Sequence, residues 1–291
     1  VDAYKRQFDV PWGQASAGKQ TPISFVLVDE HTEKEAWAQF PGAASLDRFE
    51  EQGYVLDVTP SGVFCAAKDN AGLVNAAASL IQLMHIEDGK LVAQTARVVD
   101  WPTFRIRYTS EYQFLGPDYF DWMMLYKING FATSYRVLDW DGIDETQRAA
   151  LHTVGDYVAR YETLHYMGQL HLSGRAPNGR VMDSCNPDHN EALFETVRTI
   201  LEVGKASHLW ICYDDTIPEV QPMEAEHGFE TPAAAHCALL DKLRAFMDTV
   251  RPETVLGFVP VPYQGRHHRR WKKAYKHHEY TEALAAAPQE V

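Results

Sequence analysis

Two adjacent acidic residues, Asp214 and Asp215, end an apolar run from Leu209 to Tyr213 and are the residues best placed for chemistry. The run has the composition of a short buried strand. Two carboxylates held this close cannot both ionise freely, so their titration is coupled and one pKa is raised. One proton donor beside one charged carboxylate near neutral pH is what cleavage of a glycosidic bond requires.

The spacing of the two acids bears on the kind of glycoside chemistry. Ordinary retaining glycosidases hold two carboxyl groups about 5 Å apart and use one as the nucleophile. Sequence neighbours fit that arrangement poorly and fit the substrate-assisted exception better. In that exception the sugar's 2-acetamido oxygen attacks the anomeric carbon, one carboxylate orients the acetamido N–H, and the other protonates the leaving oxygen. An Asp-Asp pair after a strand is also common as a helix cap, a turn or a solvated loop end, and these alternatives stay open.

The elements that must position the pair alternate between short apolar strands and amphipathic helices from Trp101 onward. We predict strands at residues 104–109, 131–136, 165–172, 207–213 and 254–260. Helices are predicted at residues 145–162 and at 188–203, the second with Asp188 as its cap and Glu191 completing a capping box. This alternation indicates parallel strands joined by right-handed crossovers, in a doubly wound sheet or a β/α barrel.

No glycine-rich phosphate loop follows any of these predicted strands, which favours the barrel. In a barrel, the residues at the carboxyl ends of the strands line the active site. Only about five strands precede the end of the chain, whereas a closed barrel has eight. The fold prediction is therefore α/β, with a (β/α)8 TIM barrel over residues 98–291 that is truncated after about five strands.

Residues 1–97 predict a separate small α+β domain. A strand is expected at residues 24–29, and residues 53–69 read as two strands around a Thr-Pro-Ser-Gly turn. The following helix is predicted at residues 71–84, and its apolar face is predicted to carry Leu73, Ala77, Leu80 and Met84.

Composition narrows the class of protein. The chain has 291 residues, 45% of them hydrophobic, which excludes a disordered protein. Its formal net charge of −13 argues against nucleic acid as a partner. The four cysteines form no C-x-x-C pair, and no apolar run is long enough to span a membrane. The first residues do not resemble a signal peptide, so secretion would need a signal upstream and the compartment stays open.

Other side chains could line the same strand ends. His171 and Ser173 close the third predicted strand, and a structural histidine is the alternative interpretation. The rings of Trp140 and Trp210 suit a pyranose, although Trp210 also reads as core. Residues 265–280 are basic and histidine-rich, and they predict a solvated loop and helix face, with contact to an anionic glycan as the alternative.

The segment Tyr213-Asp214-Asp215-Thr216-Ile217 resembles the catalytic strand end of the glycoside hydrolase family 84 β-N-acetylglucosaminidases, the O-GlcNAcase and hyaluronidase-like group. Further segments match in the same order. Residues 128–136 resemble the second barrel strand, 235–247 the helix after the catalytic strand, and 257–265 the next strand. The region before residue 98 is similar to the small domain that precedes the barrel in families 20 and 84.

The resemblance implies a role for each matched residue. Asp214 would polarise the acetamido group, and Asp215 would be the general acid and base. Tyr263 stands at the family's pocket tyrosine, and Arg136 stands at a basic substrate-contacting position. The first strand of the family carries Glu-Gly-Phe-Tyr-Gly. At the same place this sequence has Glu111 followed by Tyr112, so a tyrosine replaces the first glycine. Glu111 and Tyr112 are the substrate-binding residues predicted there.

The resemblance also implies a reaction and a partner. The expected reaction removes β-linked N-acetylglucosamine through an oxazoline intermediate, without a cofactor or a metal, so the partner is a carbohydrate or glycoconjugate carrying that sugar. Family 20 uses Asp-Glu, which residues 214–215 do not match. The alternative function is a non-catalytic glycan-binding or structural fragment, which Tyr112 and the missing later strands favour.

Overall fold

The computed structural model describes residues 21–28, 51–111, 113–114, 116–134, 136–161, 163–173, 177–213, 222–260 and 277–286. The chain forms two compact units. The first runs to Tyr108 and includes Gly116–Asn129 and Tyr161–Thr163. The second comprises Thr109–Leu115, Gly130–Arg160 and the chain from Leu164 onward.

A four-stranded sheet forms the frame of the first unit. Its strands are β1 (Ile23–Leu27), β2 (Tyr54–Thr59), β3 (Gly62–Ala67) and β6 (Ala96–Asp100), and their order is β1-β3-β2-β6. Strand β2 is antiparallel to both β3 and β6, while β1 is parallel to β3. The predicted hairpin at residues 53–69 is therefore confirmed. A second, two-stranded sheet pairs β4 (Met84–Glu87) with β5 (Lys90–Ala93).

Helix α1 (Asn70–Leu83) packs on β2 and β3. It begins at Asp69, whose Oδ1 accepts a hydrogen bond from the N–H of Gly72 at 2.6 Å. Such a cap satisfies one of the N–H groups that the first turn of a helix leaves open. The predicted face is correct except at one position, because Ala76 rather than Ala77 joins the buried cluster. That cluster contains Tyr54, Leu56, Val58, Val63, Cys65, Ala67, Ala76 and Leu80.

A partly buried polar network in the same unit joins this core to the turn after helix α2 (Pro117–Leu125). The ammonium of Lys127 donates to the hydroxyl of Tyr54 at 2.7 Å and lies 3.0 Å from the carboxylate of Asp100. The Tyr54 hydroxyl also bonds the Ser79 hydroxyl at 2.6 Å. Burial alone would raise the pKa of Asp100, but the hydrogen bond and charge of Lys127 outweigh it and lower that pKa.

The second unit is built on a five-stranded sheet with the order β11-β10-β9-β8-β7. Its strands are β7 (Tyr108–Glu111), β8 (Gly130–Thr133), β9 (His165–His171), β10 (His208–Cys212) and β11 (Val255–Val259). Three adjacent pairs, from β8 to β11, are parallel. Their positions confirm the last four predicted strands to within three residues at each end.

Helices connect these parallel strands: α3 (Glu145–Arg160), α4 (Pro187–Glu202), the short α5 (Pro222–Glu226) and α6 (Pro232–Val250). Helix α7 (His277–Ala286) follows β11 and packs against α6. Strand–helix alternation with parallel pairing makes the unit an α/β structure, as predicted. No helix in the described parts of the chain is long and apolar enough to cross a membrane.

Two local predictions are wrong. The strand expected at residues 104–109 begins only at Tyr108. Before it, the carbonyl of Arg105 accepts hydrogen bonds from the side-chain amides of Gln52 and Asn129. Side chains thus satisfy a main-chain group that a strand would need for its ladder. The cap of α4 is Asn186 rather than Asp188, because the Asn186 side chain accepts the N–H of residue 188 and Pro187 occupies the first turn.

Candidate active site

The carboxyl ends of all five strands in the second unit lie along one edge of the sheet, which we call the C-terminal edge. His171 of β9 and Val259 of β11 are both register partners of Cys212 in β10. At the β7–β8 end, the N–H of Ser134 donates to the carbonyl of Glu111 at 2.8 Å. Parallel strands bring side chains from distant parts of the sequence together at this edge, where ligands of α/β sheets bind.

One face of β10 is covered by helices. Gly168 on β9 faces Ile200 of α4 and Leu209 of β10, and a Cβ added at the glycine would lie 2.7 Å and 3.6 Å from those two side chains. Side chains alternate along a strand, so the side chain of Tyr213 is directed to the same face as that of Leu209. This face is the buried helix side of the sheet.

The opposite face of β10, which we call the inner face, carries Trp210 and Cys212. The indole of Trp210 lies across Gly257 of β11, where an added Cβ would be 2.6 Å from the ring. Gly257 therefore gives the ring its place on the inner face. Trp210 is only partly buried, so it is not simply a core residue.

Tyr213 is the last described residue before the acidic pair. Its N–H donates to the carbonyl of Val259 at 2.9 Å, and the carbonyl of Cys212 accepts from the N–H of Leu172 at 3.2 Å. The main chain is thus bonded to both neighbouring strands directly before Asp214. Asp214 and Asp215 themselves lie outside the described residues.

The Tyr213 side chain packs against a buried histidine on α6. The rings of Tyr213 and His236 stack with centroids 3.7 Å apart and an interplanar angle of 24°. Nδ1 of His236 is 2.8 Å from the hydroxyl of Tyr280 on α7, and all three side chains are more than nine-tenths buried. Burial lowers the pKa of His236 to about 3. The imidazole is consequently neutral at physiological pH.

Burial also raises the pKa of the Tyr213 hydroxyl, and the charge of Glu224 on α5 adds to the shift. The phenol is therefore protonated at neutral pH. Neither ring contributes a charge beside the strand end.

Two of the four predicted substrate-binding residues can be placed. Glu111 ends β7 at the C-terminal edge, where its carboxylate accepts the hydroxyl hydrogen of Thr109 at 2.7 Å. Arg136 is exposed in the turn after β8. The strands that carry them are neighbours in the sheet. The other two, Tyr112 and Tyr263, lie outside the described residues.

The loops after β8 and β9 are tied together by charged and amide side chains. Asp141 pairs with the guanidinium of Arg180, and the N–H of Asn178 donates to the carboxylate of Asp139 at 3.0 Å. Arg180 also lies over the ring of Trp140, 5.3 Å from its centroid. Because Trp140 is fully buried, its predicted role as a platform for a pyranose is wrong.

His171 sits on β9 at the C-terminal edge but is fully buried, and its Nδ1 lies 2.9 Å from the Ser173 hydroxyl. These contacts agree with the structural interpretation of this histidine. Within the described ranges, no three His, Cys, Asp or Glu side chains group together as a metal site would require.

Sequence reasoning missed two residues of the strand end. His236 lies on the helix after the acidic pair, five residues beyond its cap Thr231, on the face that also buries Leu239, Leu240 and Leu243. A histidine at apolar helical spacing was the available signal. Tyr280 ends the segment 265–280, which is predicted to be a solvated loop and helix face. That prediction is wrong at Tyr280 because the residue is 2% exposed.

Comparisons with known proteins give one family match, over the first third of the chain, and several structural matches over most of it. The model of glycosyl hydrolase family 20, domain 2, matches residues 2–101, about a third of the chain. No curated protein matches the sequence.

Solved structures resemble most of the chain in fold. "Structure of CpGH84B" has a TM-score of 0.56 at 17% identity, over 81% of this chain and 40% of that one. The family 20 exo-β-N-acetylglucosaminidase of Vibrio harveyi, in complex with N-acetylglucosamine, has a TM-score of 0.57 at 14% identity, over 82% and 51%. The β-N-acetylhexosaminidase of Bacteroides fragilis NCTC 9343 has a TM-score of 0.54 at 13% identity, over 72% and 52%.

The chain thus spans between 40% and 52% of the length of these three proteins. Structures of both family 20 and family 84 are among them, so the predicted assignment to family 84 is supported only as a fold shared with both families. The chain is therefore an α/β protein that shares its fold with N-acetylhexosaminidases of families 20 and 84, and its residues 2–101 match the model of family 20, domain 2.

Proposed function

We propose that this protein is a glycoside hydrolase that removes β-linked N-acetylglucosamine from carbohydrates or glycoconjugates. The observation that carries the proposal is the strand end at Tyr213. There a parallel strand of an N-acetylhexosaminidase-like sheet reaches its C-terminal edge, and the next two residues in sequence are Asp214 and Asp215. Catalytic residues of β/α enzymes come from this position.

The proposed architecture around the site is a (β/α)8 barrel. Three consecutive parallel pairs with intervening helices support it, as does the fold likeness to family 20 and 84 enzymes. In this architecture the inner face of the sheet becomes the barrel interior. The helices α3, α4 and α6 become part of its outer ring.

We assign different roles to the two acids. The strand that leads to them in the sequence carries Trp210 and Cys212 on the inner face, opposite the Tyr213 side chain. In the proposed roles, the Asp214 carboxylate accepts the acetamido N–H and raises the electron density on the acetamido oxygen. Asp215, in its protonated form, donates to the glycosidic oxygen.

The reaction then proceeds in two balanced steps. The acetamido oxygen forms a bond to the anomeric carbon while the bond to the aglycone oxygen breaks, that oxygen takes the proton of Asp215, and the acetamido N–H proton passes to Asp214. The resulting oxazoline is opened by water, whose proton returns to Asp215 as the hydroxyl adds to the anomeric carbon, and Asp214 returns its proton to the acetamido nitrogen. Two displacements at one carbon give net retention of configuration.

Four side chains are proposed to bind the sugar: Glu111, Tyr112, Arg136 and Tyr263. Glu111 ends β7, and Arg136 lies in the turn after the neighbouring strand β8, which supports a shared role for these two at the C-terminal edge. The adjacent Asp-Asp at residues 214–215 favours the family 84 form of the mechanism, because the family 20 form uses Asp-Glu.

A thiazoline analogue of N-acetylglucosamine, which mimics the oxazoline intermediate, tests the proposal. Transition-state and intermediate analogues bind far more tightly than substrate, by at least about 100-fold. We expect calorimetry to detect binding to the wild-type chain and a large loss of affinity in D214A. A matched control, D188N, changes an acid on α4 and should bind normally.

Absence of binding to a folded wild-type chain would contradict the proposal. Binding of N-acetylglucosamine without hydrolysis of any N-acetylglucosaminide, and with no dependence on Asp214, would instead identify the protein as a non-catalytic glycan-binding protein.

A further inference from the structure

The end of β10 is held by two kinds of contact. Backbone hydrogen bonds from Leu172 and to Val259 fix the main chain of Cys212 and Tyr213 in the plane of the sheet. Outside that plane, the Tyr213 side chain makes a second contact, because its ring is stacked on His236 and lies 5.9 Å from the ring of Phe258.

His236 is itself held in place by a neighbouring helix. Its Nδ1 is bonded to the Tyr280 hydroxyl at 2.8 Å, and the two rings meet edge to face at 5.9 Å. A buried neutral imidazole bonded in this way keeps one orientation, because breaking the hydrogen bond costs free energy in the interior. The stack therefore links helices α6 and α7 to the strand end.

The chemistry of the stack suits support rather than proton transfer. His236 is 6% exposed and Tyr280 is 2% exposed, so neither side chain is open to a substrate. The acidic group that affects Tyr213 is Glu224 of α5, which is also buried. The stacked rings of Tyr213 and His236 support the strand end and add no charge next to the two acids that follow in the sequence.

On the basis of the proposed function, we propose that His236, oriented by Tyr280, is a positioning residue for Asp214 and Asp215. It holds the Tyr213 ring against the helix layer and thereby fixes the end of the strand that precedes the two acids in the sequence. Catalysis by an acid pair depends on placement, since a shift of about 1 Å in a reacting group can cost about 100-fold in rate.

Two substitutions separate ring support from hydrogen bonding. H236A removes the ring that stacks on Tyr213, and H236F keeps an aromatic ring but cannot form the hydrogen bond to Tyr280. We expect H236A to lower kcat about 100-fold on an alkyl N-acetylglucosaminide, whose poor leaving group needs the proton of Asp215. On an activated aryl N-acetylglucosaminide the expected loss is about 10-fold or less, because that leaving group needs no proton and its rate depends on the placement of Asp214 alone. H236F should recover most of both rates because aromatic pairs stack in the same way.

The unequal loss on the two substrates identifies positioning. A merely structural effect reduces the fraction of folded enzyme and lowers both rates by the same factor. Y280F, which removes one oxygen, should show the same inequality in weaker form. It also carries the test if H236A does not fold.

A carbon-13 NMR titration of the aspartate carboxyl groups provides a readout that does not need turnover. In the wild-type chain the coupled pair should titrate in two separated steps, and H236A should bring the steps closer together while H236F keeps them apart. The positioning role would be overturned if the wild-type chain is active and shows two separated titration steps, while folded H236A keeps the same two steps and loses the same factor of activity on both substrates. A folded wild-type chain with neither coupling nor hydrolysis would overturn the proposed function, and the positioning role with it.

Discussion

Gly257 on β11 lies directly across from the indole of Trp210 on β10, and a Cβ at this glycine would be 2.6 Å from the ring. The two residues are register partners in a parallel pair. The absent side chain on one strand thus makes room for the largest side chain on the other. This pair defines the inner face of the sheet two residues before the strand ends.

We predict that G257A destabilises the protein by about 1–3 kcal/mol, because the indole or the strand must shift to accept a methyl group. Urea unfolding monitored by far-UV circular dichroism measures this cost. G116A is the control for a methyl group added in open space, since a Cβ at Gly116 meets nothing within 4 Å and its φ is −84°. Because Gly116 is also the N-cap of α2, any cost of G116A is that of a poorer cap and not of a steric clash. If G257A cost no more than G116A, the strand would tolerate movement at Trp210 and the described packing would be incorrect.

The ion pair between Lys127 and Asp100 predicts a pH-dependent stability. Burial would lower the pKa of Lys127, but the hydrogen bonds to Tyr54 and Asp100 outweigh it and raise that pKa. The stability from a raised lysine pKa is present below the unfolded value of about 10.4 and is lost as pH rises through the folded value. The lowered pKa of Asp100 acts in the opposite sense. Its contribution is present above about 3.9 and is lost as pH falls through the lower folded value.

K127M should therefore cost about 1 kcal/mol between about pH 5 and 9, a small value because the pair is partly solvated. The difference from wild type should shrink as pH falls through the lowered pKa of Asp100, because the protonated carboxyl group no longer forms an ion pair with Lys127. A double-mutant cycle with D100N isolates the pair from the lost packing of the lysine stem. A coupling free energy that did not change with pH would show that Lys127 and Asp100 stabilise the protein by packing and not by their charges.

Local patterns in the sequence predicted much of the secondary structure. The Thr-Pro-Ser-Gly turn between two apolar runs located β2 and β3, and helical periodicity located α3 within two residues of its observed end at Arg160. These elements depend on interactions between residues close in sequence. Their prediction therefore needs no knowledge of the tertiary fold.

Features that depend on distant contacts could not be predicted in this way. The prediction of a strand from residue 104 was wrong because Gln52 and Asn129, far away in sequence, donate hydrogen bonds to the carbonyl of Arg105. Tyr280 is buried where α7 packs on α6, and it bonds His236, 44 residues earlier. Of the candidate site, the position of Tyr213 at the C-terminal edge followed from strand order. The apolar spacing of α6 signals only that His236 is buried, whereas its partners Tyr213 and Tyr280 come from distant parts of the sequence.

The central claim is that Asp215 is the general acid, and its substitution by alanine tests this most directly. Rates of hydrolysis are compared for an alkyl and an activated aryl N-acetylglucosaminide, in D215A and in the wild-type chain. We predict a loss of about 100- to 10,000-fold for the alkyl substrate and a much smaller loss for the aryl substrate, whose leaving group departs without a proton. Small and equal losses on both substrates would contradict the account.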